Sequence, residues 1–89
     1  MQIEDSVSQE VINRLRRAQG QIGGIIAMIE DGRNCADIVT QFAAASRAID
    51  RAGFKIVASG IRQCQDAEFR GEEPGLSREQ MEKLFLALA

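Results

Sequence analysis

Two long stretches of this chain repeat apolar residues at alternating steps of four and three, and that rhythm limits what it can fold into. Val11, Leu15, Ala18, Ile22, Ile25 and Ile29 carry the first stretch. Ile38, Phe42, Ala45, Ile49, Ala52 and Ile56 carry the second. Such a repeat is the seam of a helix lying nearly parallel to another helix. From Phe54 a further stripe opens through Val57, Ile61 and Cys64. The later half of the second helix is therefore apolar on two faces and needs more than one neighbour to cover it.

Capping signals divide the chain. Ser6 with Gln9 reads as a capping box, and Ser77 with Gln80 as another. Asn34 is an N-cap candidate, with Asp37 in the turn that follows. Gly32 is a natural stop, and residues 70–76 form a turn-rich connector. Met81, Leu84, Phe85 and Leu88 give one apolar stripe on a short last helix. The pattern predicts one all-α domain over 1–89, with helices at about 7–31, 35–67 and 78–88. Gly20, Gly23 and Gly24 interrupt the first helix, and each costs about 1 kcal/mol against Ala. Close approach of another backbone is the expected compensation. Two long helices and a short one cannot enclose so much apolar surface in 89 residues. An antiparallel four-helix-bundle dimer is expected, with dimers pairing further into a tetramer.

Several function classes drop out. With no histidine, the chain lacks Ser-His-Asp and Cys-His catalysis and histidine metal sites. With no Tyr or Trp, extensive stacking on bases is not expected. Phosphate-cradling glycine motifs are absent, so the chain does not read as an enzyme. No apolar run approaches the ~20 residues that span a bilayer, and the acidic start does not resemble a signal peptide. The expectation is a cytoplasmic protein without a membrane partner, in which two cysteines stay reduced.

The net charge of −2 conceals an asymmetry. Residues 11–29 and 38–65 hold Arg14, Arg16, Arg17, Arg47, Arg51, Lys55 and Arg62 against Asp50 alone. Arg14, Arg16 and Arg17 lie within one turn, and Arg47, Arg51 and Lys55 form a stripe at i, i+4 and i+8. In a helical hairpin the two sets merge into one basic face suited to phosphate contacts along a duplex. A plain solvated face is the competing reading of the same charges. No helix-turn-helix pattern is evident.

Cys35 opens the second helix and Cys64 lies near its end, 29 positions later. On a straight helix that is about 43 Å, far beyond disulfide reach. In an antiparallel dimer with its two-fold axis near Ile49 and Asp50, each Cys35 meets Cys64 of the partner subunit. The alternative is that both are small buried hydrophobes, which suits Cys64 better than Cys35. A helix N-terminus and the neighbouring Arg33 favour a thiolate at Cys35.

The residues Asn13-Arg14-Leu15-Arg16-Arg17 with Gly20-Gln21, the run Met28-Ile29-Glu30-Asp31-Gly32-Arg33-Asn34-Cys35, Thr40-Gln41 and the late Cys64 closely resemble the copper-sensing repressor (CsoR-like) family. The resemblance covers nearly the whole chain. It implies an all-α dimer that pairs into a flat tetramer, binds double-stranded operator DNA and lets go when its cysteine site is filled. It also points to Arg14 and Arg51, then Lys55, as the leading DNA contacts. The copper branch places a histidine four residues before the second cysteine, where this chain has Gly60. The nickel and cobalt branches need still more histidines, and the formaldehyde branch an N-terminal proline where this chain has Gln2. The branch that keeps two cysteines without the histidine is the persulfide-sensing (CstR-like) one. By that resemblance, low-molecular-weight persulfides are the inducer, with no bound cofactor or metal. Cys35 takes up sulfur, and Cys64 of the partner subunit closes a di-, tri- or longer sulfur bridge. A Cu(I) repressor using the same two thiolates is the main alternative. A sulfur carrier and a helical scaffold with inert cysteines are the others.

Overall fold

The computed structural model describes residues 2–89 and contains three helices: α1 (Asp5–Glu30), α2 (Cys35–Phe69) and α3 (Arg78–Leu88). No strand occurs among the described residues. The helix ends follow local chemistry. Asn34 accepts the Asp37 amide at 3.1 Å and starts α2. Ser77 and Gln80 form a complete capping box that starts α3. Gly32 and Gly71 close α1 and α2 with φ of 70° and 74°, a left-handed conformation that suits glycine. At both ends the paired bonds of a Schellman motif return to the helix, from Arg33 to Met28 and from Glu72 to Ala67.

The start of α1 corrects the expectation at Ser6. Glu4 is the N-cap and its side chain makes no cap bond, so the helix begins at Asp5 and Ser6 lies inside it. The extra turn closes with the Ser8 amide on the Glu4 carbonyl at 2.8 Å. Asp5 favours the positive end of the helix dipole. Packing also holds this turn in place: Val7 is buried against α2, and Gln63 donates to the Gln2 carbonyl at 3.2 Å.

α1 and α2 form a long hairpin, and α3 folds back on the second half of α2. Val7, Val11, Ala52 and the partly buried Ile56 pack together near the α1 start. Ala18, Ile25 and Ala45 are buried further along the hairpin. The apolar seam is split. Every seventh residue of α1 from Val11 faces α2, whereas Leu15, Ile22 and Ile29 stay exposed, as do Phe42 and Ile49 on α2. On the second stripe, Val57 and Cys64 are buried and Phe54 packs on Phe85 of α3 with ring centroids 5.5 Å apart.

The fold is thin, at 58 × 24 × 12 Å. Twelve ångströms is one helix diameter. Its radius of gyration is 17.1 Å, against about 12 Å for a compact globule of this length. A single layer of helices buries one face of each helix and leaves the other bare. The glycines of α1 show the same thing. A Cβ built on Gly20, Gly23 or Gly24 meets nothing within 4 Å, so the close approach expected there is not made within one chain. Gly53 of α2 is approached closely, with the Leu88 side chain 3.0 Å from a Cβ position.

Candidate functional site

The first candidate site is a cleft between the early part of α1 and the middle of α2. α1 contributes Ser6, Glu10 and Arg14, and α2 contributes Arg51, Phe54, Lys55, Ala58 and Arg62. The α2 residues fall at steps of three and four because that spacing keeps them on one side of a helix. Four cations and one anion therefore share a small volume. Lys55 Nζ lies 2.8 Å from Glu10 Oε1, and Arg14 Nη2 lies 3.3 Å from the same oxygen. The Lys55 hydrogen bond and then that of Arg14 hold the Glu10 carboxyl below the ordinary glutamate value.

The cleft gathers three of the six expected DNA contacts, Arg14, Arg51 and Lys55. Arg16, Arg17 and Arg47 are exposed and do not line it. Arg62 lines it although it is outside the expected set. Its position seven residues after Lys55, two helical turns along the same face, was the available signal. Glu10 was also missed: its spacing of four from Arg14 was a local signal, but nothing local shows that Lys55 of α2 meets the same carboxylate.

The two cysteines differ in setting. Cys35 is the first residue of α2 and is exposed. Arg33 beside it pairs with Asp37 at 3.5 Å. Cys64 is only 3% exposed. Its Sγ donates to the Leu76 carbonyl at 3.4 Å and lies 4.0 Å from Glu68 Oε1. Residues of α3 complete the cover, with Met81, Phe85 and Arg78 lining the same pocket as Cys64. The thiols stand at opposite ends of one helix and do not meet within a chain. No group of three or more His, Cys, Asp or Glu fit to hold a metal occurs among the described residues. Gly60, one turn before Cys64, is buried and offers no donor. The described residues of one chain therefore gather no three-ligand set, and two thiolates brought together from two chains would suit a soft ion such as Cu(I).

A family model for the metal-sensitive transcriptional repressor matches residues 7–89. The chain belongs to that family. Members of the metal-sensitive transcriptional repressor family are regulators of transcription and not enzymes. The chain is 35% identical over 51 residues to the copper-sensing transcriptional repressor RicR of Mycobacterium tuberculosis, covering 57% of this chain and 53% of that one. It is 33% identical over 55 residues to the copper-sensing transcriptional repressor CsoR of Bacillus subtilis, covering 62% and 54%. It is 40% identical over 47 residues to the uncharacterized protein YrkD of Bacillus subtilis, covering 52% and 75%. The matches thus span about half the length of the copper-sensing relatives. No solved structure matches this chain significantly. Three helices without strands agree with the all-α fold expected of this repressor family. No helix of the described residues is long and apolar enough to cross a membrane.

Proposed function

We propose that this family member binds operator DNA through its basic face and releases it when a reactive sulfur species joins Cys35 to Cys64 of the partner subunit. The observation that carries the sensing half is the donor set. The chain has two thiols, no histidine, and Gly60 at the helical position that would complete a three-ligand site. Such a pair is poor in metal ligands and sufficient for sulfur exchange. The exposed Cys35 at a helix N-terminus is the attacking group.

The chemistry balances with one persulfide, RSSH. The Cys35 thiolate attacks the terminal sulfur and expels RS⁻, which leaves as the thiol RSH, so Cys35 becomes a persulfide. The Cys64 thiolate of the partner subunit attacks the inner sulfur of that group. A disulfide forms, and hydrosulfide leaves with the remaining proton as hydrogen sulfide. Two thiols are oxidised and the sulfane sulfur is reduced. If a second persulfide first converts Cys64 as well, loss of one hydrosulfide leaves a trisulfide. Either bridge ties the ends of antiparallel α2 helices together. That shifts the spacing of the basic faces and disfavours the DNA-bound arrangement.

The basic face comprises Arg14, Arg51 and Lys55 in the cleft, with Arg62 beside them and Arg16, Arg17 and Arg47 around it. Such a surface reads backbone phosphates and duplex shape more than base edges. The protein would act in the cytoplasm, where thiols stay reduced until the inducer arrives.

Cu(I) sensing by the same two thiolates is the second reading, favoured by two relatives named as copper-sensing repressors. Operator release separates the two. Reduced protein bound to labelled operator is treated with cysteine persulfide or with chelator-buffered Cu(I). The sulfur reading expects release by persulfide, together with a dimer on non-reducing gels that dithiothreitol reverses. Cys35→Ala and Cys64→Ala should each abolish the crosslink. Release by buffered Cu(I) alone, with no crosslink from persulfide, would establish the copper reading instead.

A further inference from the structure

Glu68 and Arg78 hold α3 in place beside Cys64. Arg78 Nε lies 3.0 Å from Glu68 Oε1 and Arg78 Nη2 lies 2.7 Å from Glu68 Oε2, a bidentate pair. Glu68 is one turn after Cys64 on α2, and its Oε1 is the atom 4.0 Å from Cys64 Sγ. Arg78 is the first residue of α3. The pair therefore closes the connector across which the Leu76 carbonyl accepts the Cys64 thiol. Behind it, Met81 is buried and Phe85 packs on Phe54 with the two rings tilted, so the start of α3 forms a cover over the thiol.

Both charges sit where a helix least favours them. Glu68 is the second-last residue of α2, at the negative end of its dipole, and Arg78 is the first of α3, at the positive end. Helix stability alone would select the opposite charges. The two residues make sense as a pair. The Arg78 hydrogen bond holds the Glu68 carboxyl below its ordinary value, and Glu68 pushes Arg78 up.

We propose that Glu68 and Arg78 are positioning residues that keep the start of α3 seated over Cys64, so that this thiol reacts only after α3 lifts. This rests on the reading of Cys64 as a sensing residue and assigns the two cysteines an order. Cys35 meets the inducer first because it is exposed, and Cys64 follows as the resolving thiol. Any bond made by Cys64 Sγ forfeits its hydrogen bond to the Leu76 carbonyl. Filling the sensing site is thereby coupled to a displaced connector and a loosened α3.

The test measures access to Cys64 without any inducer. In full-length Cys35→Ser protein, Cys64 is the only thiol, and its alkylation by the neutral reagent iodoacetamide is timed under native conditions. Glu68→Gln and Arg78→Gln are compared in that background. Both variants should label roughly three- to five-fold faster than the parent, the effect of losing an exposed ion pair on a local opening equilibrium. A purely electrostatic effect on the thiol pushes the two variants in opposite directions, since one loses an anion and the other a cation. General unfolding is read by the urea dependence of Cys64 labelling, which is weak when α3 opens locally and as steep as equilibrium unfolding when the whole chain opens. Unchanged Cys64 labelling in both variants would overturn the proposal, as would opposite shifts. Acceleration that carries the full urea dependence of global unfolding would assign the pair to global stability and overturn it too. Because no persulfide or copper is present, these outcomes are independent of which inducer the protein senses.

Discussion

Lys55 on α2 reaches Glu10 on α1 at 2.8 Å, so the basic cleft carries its own anion and one lysine there is already paired. The same carboxylate touches Arg14, so Glu10 stands in the place a phosphate oxygen would take between two cations from different helices. If DNA binds at this cleft as proposed, it competes with an internal salt bridge. Glu10→Gln should tighten operator binding by roughly two- to five-fold, because an exposed pair is worth little and its loss frees both cations. Fluorescence anisotropy on the operator checks this. Weaker binding by Glu10→Gln would mean that the carboxylate positions Lys55 and Arg14 for DNA and does not compete for them.

Arg51 lines the cleft and forms no salt bridge among the described residues. Arg51→Ala should lower operator affinity and make the log–log salt dependence shallower by about 0.9 for each phosphate that the side chain neutralises. Cysteine crosslinking should be unaffected. Wild-type DNA binding by both Arg14→Ala and Arg51→Ala would move the DNA surface to another side of the bundle.

Ile22, Ile25, Ile26, Ile29, Phe42 and Ile49 line an apolar groove along the hairpin, and five of them are exposed in the single chain. Covering that surface with a second copy is the expected outcome. Phe42→Glu should raise the dimer dissociation constant on the order of a hundredfold, since it places a charge where the second copy would bury an aromatic ring. Sedimentation velocity measures it. A wild-type chain that stays a folded monomer at micromolar concentration would remove both this interface and the intersubunit cysteine site.

Acid should loosen the fold through Glu10 and Glu68. Both carboxyls titrate below their ordinary value in the folded chain, so their stabilising effect is complete above the unfolded value of about 4.5. It is lost as pH falls from there through the lower folded values. Thermal unfolding should therefore give a level Tm from pH 7 to about 5 as far as these two groups contribute, and a decline below about 4.5. In Glu10→Gln/Glu68→Gln protein that decline should be shallower. A decline of wild-type steepness in the double variant would assign acid sensitivity to other carboxyls.

Gly60→His should raise Cu(I) affinity if the missing ligand is what separates this chain from a copper site. The new side chain would share a helix face with Cys64 one turn away. Chelator competition against the wild type reads the change. No gain would mean that the groups around position 60 exclude the metal.

The parts of this protein whose causes are local were legible along the chain. The Asn34 and Ser77 caps, the left-handed glycines at 32 and 71, and the placement of Arg51, Lys55 and Arg62 on one side of α2 follow from residues within a turn or two of each other. The motif around Cys35 was equally legible, and with it the repressor family. The four-three repeat marked which residues are apolar on each helix, yet it did not say which half of the seam packs inside the chain. Helix packing turned Val11, Ala18 and Ile25 toward α2 and left Leu15, Ile22 and Ile29 outside, because the rotation of one helix against another is set along their whole length. It also started α1 at Asp5, since the burial of Val7 and the Gln63 bond to Gln2 support a turn whose side-chain cap is missing. The meeting of Lys55 with Glu10, and of Arg78 with Glu68 beside Cys64, came from the fold in the same way. Each is a contact between different helices. Sequence spacing fixes neighbours on one helix, and only the way helices pack fixes neighbours on two.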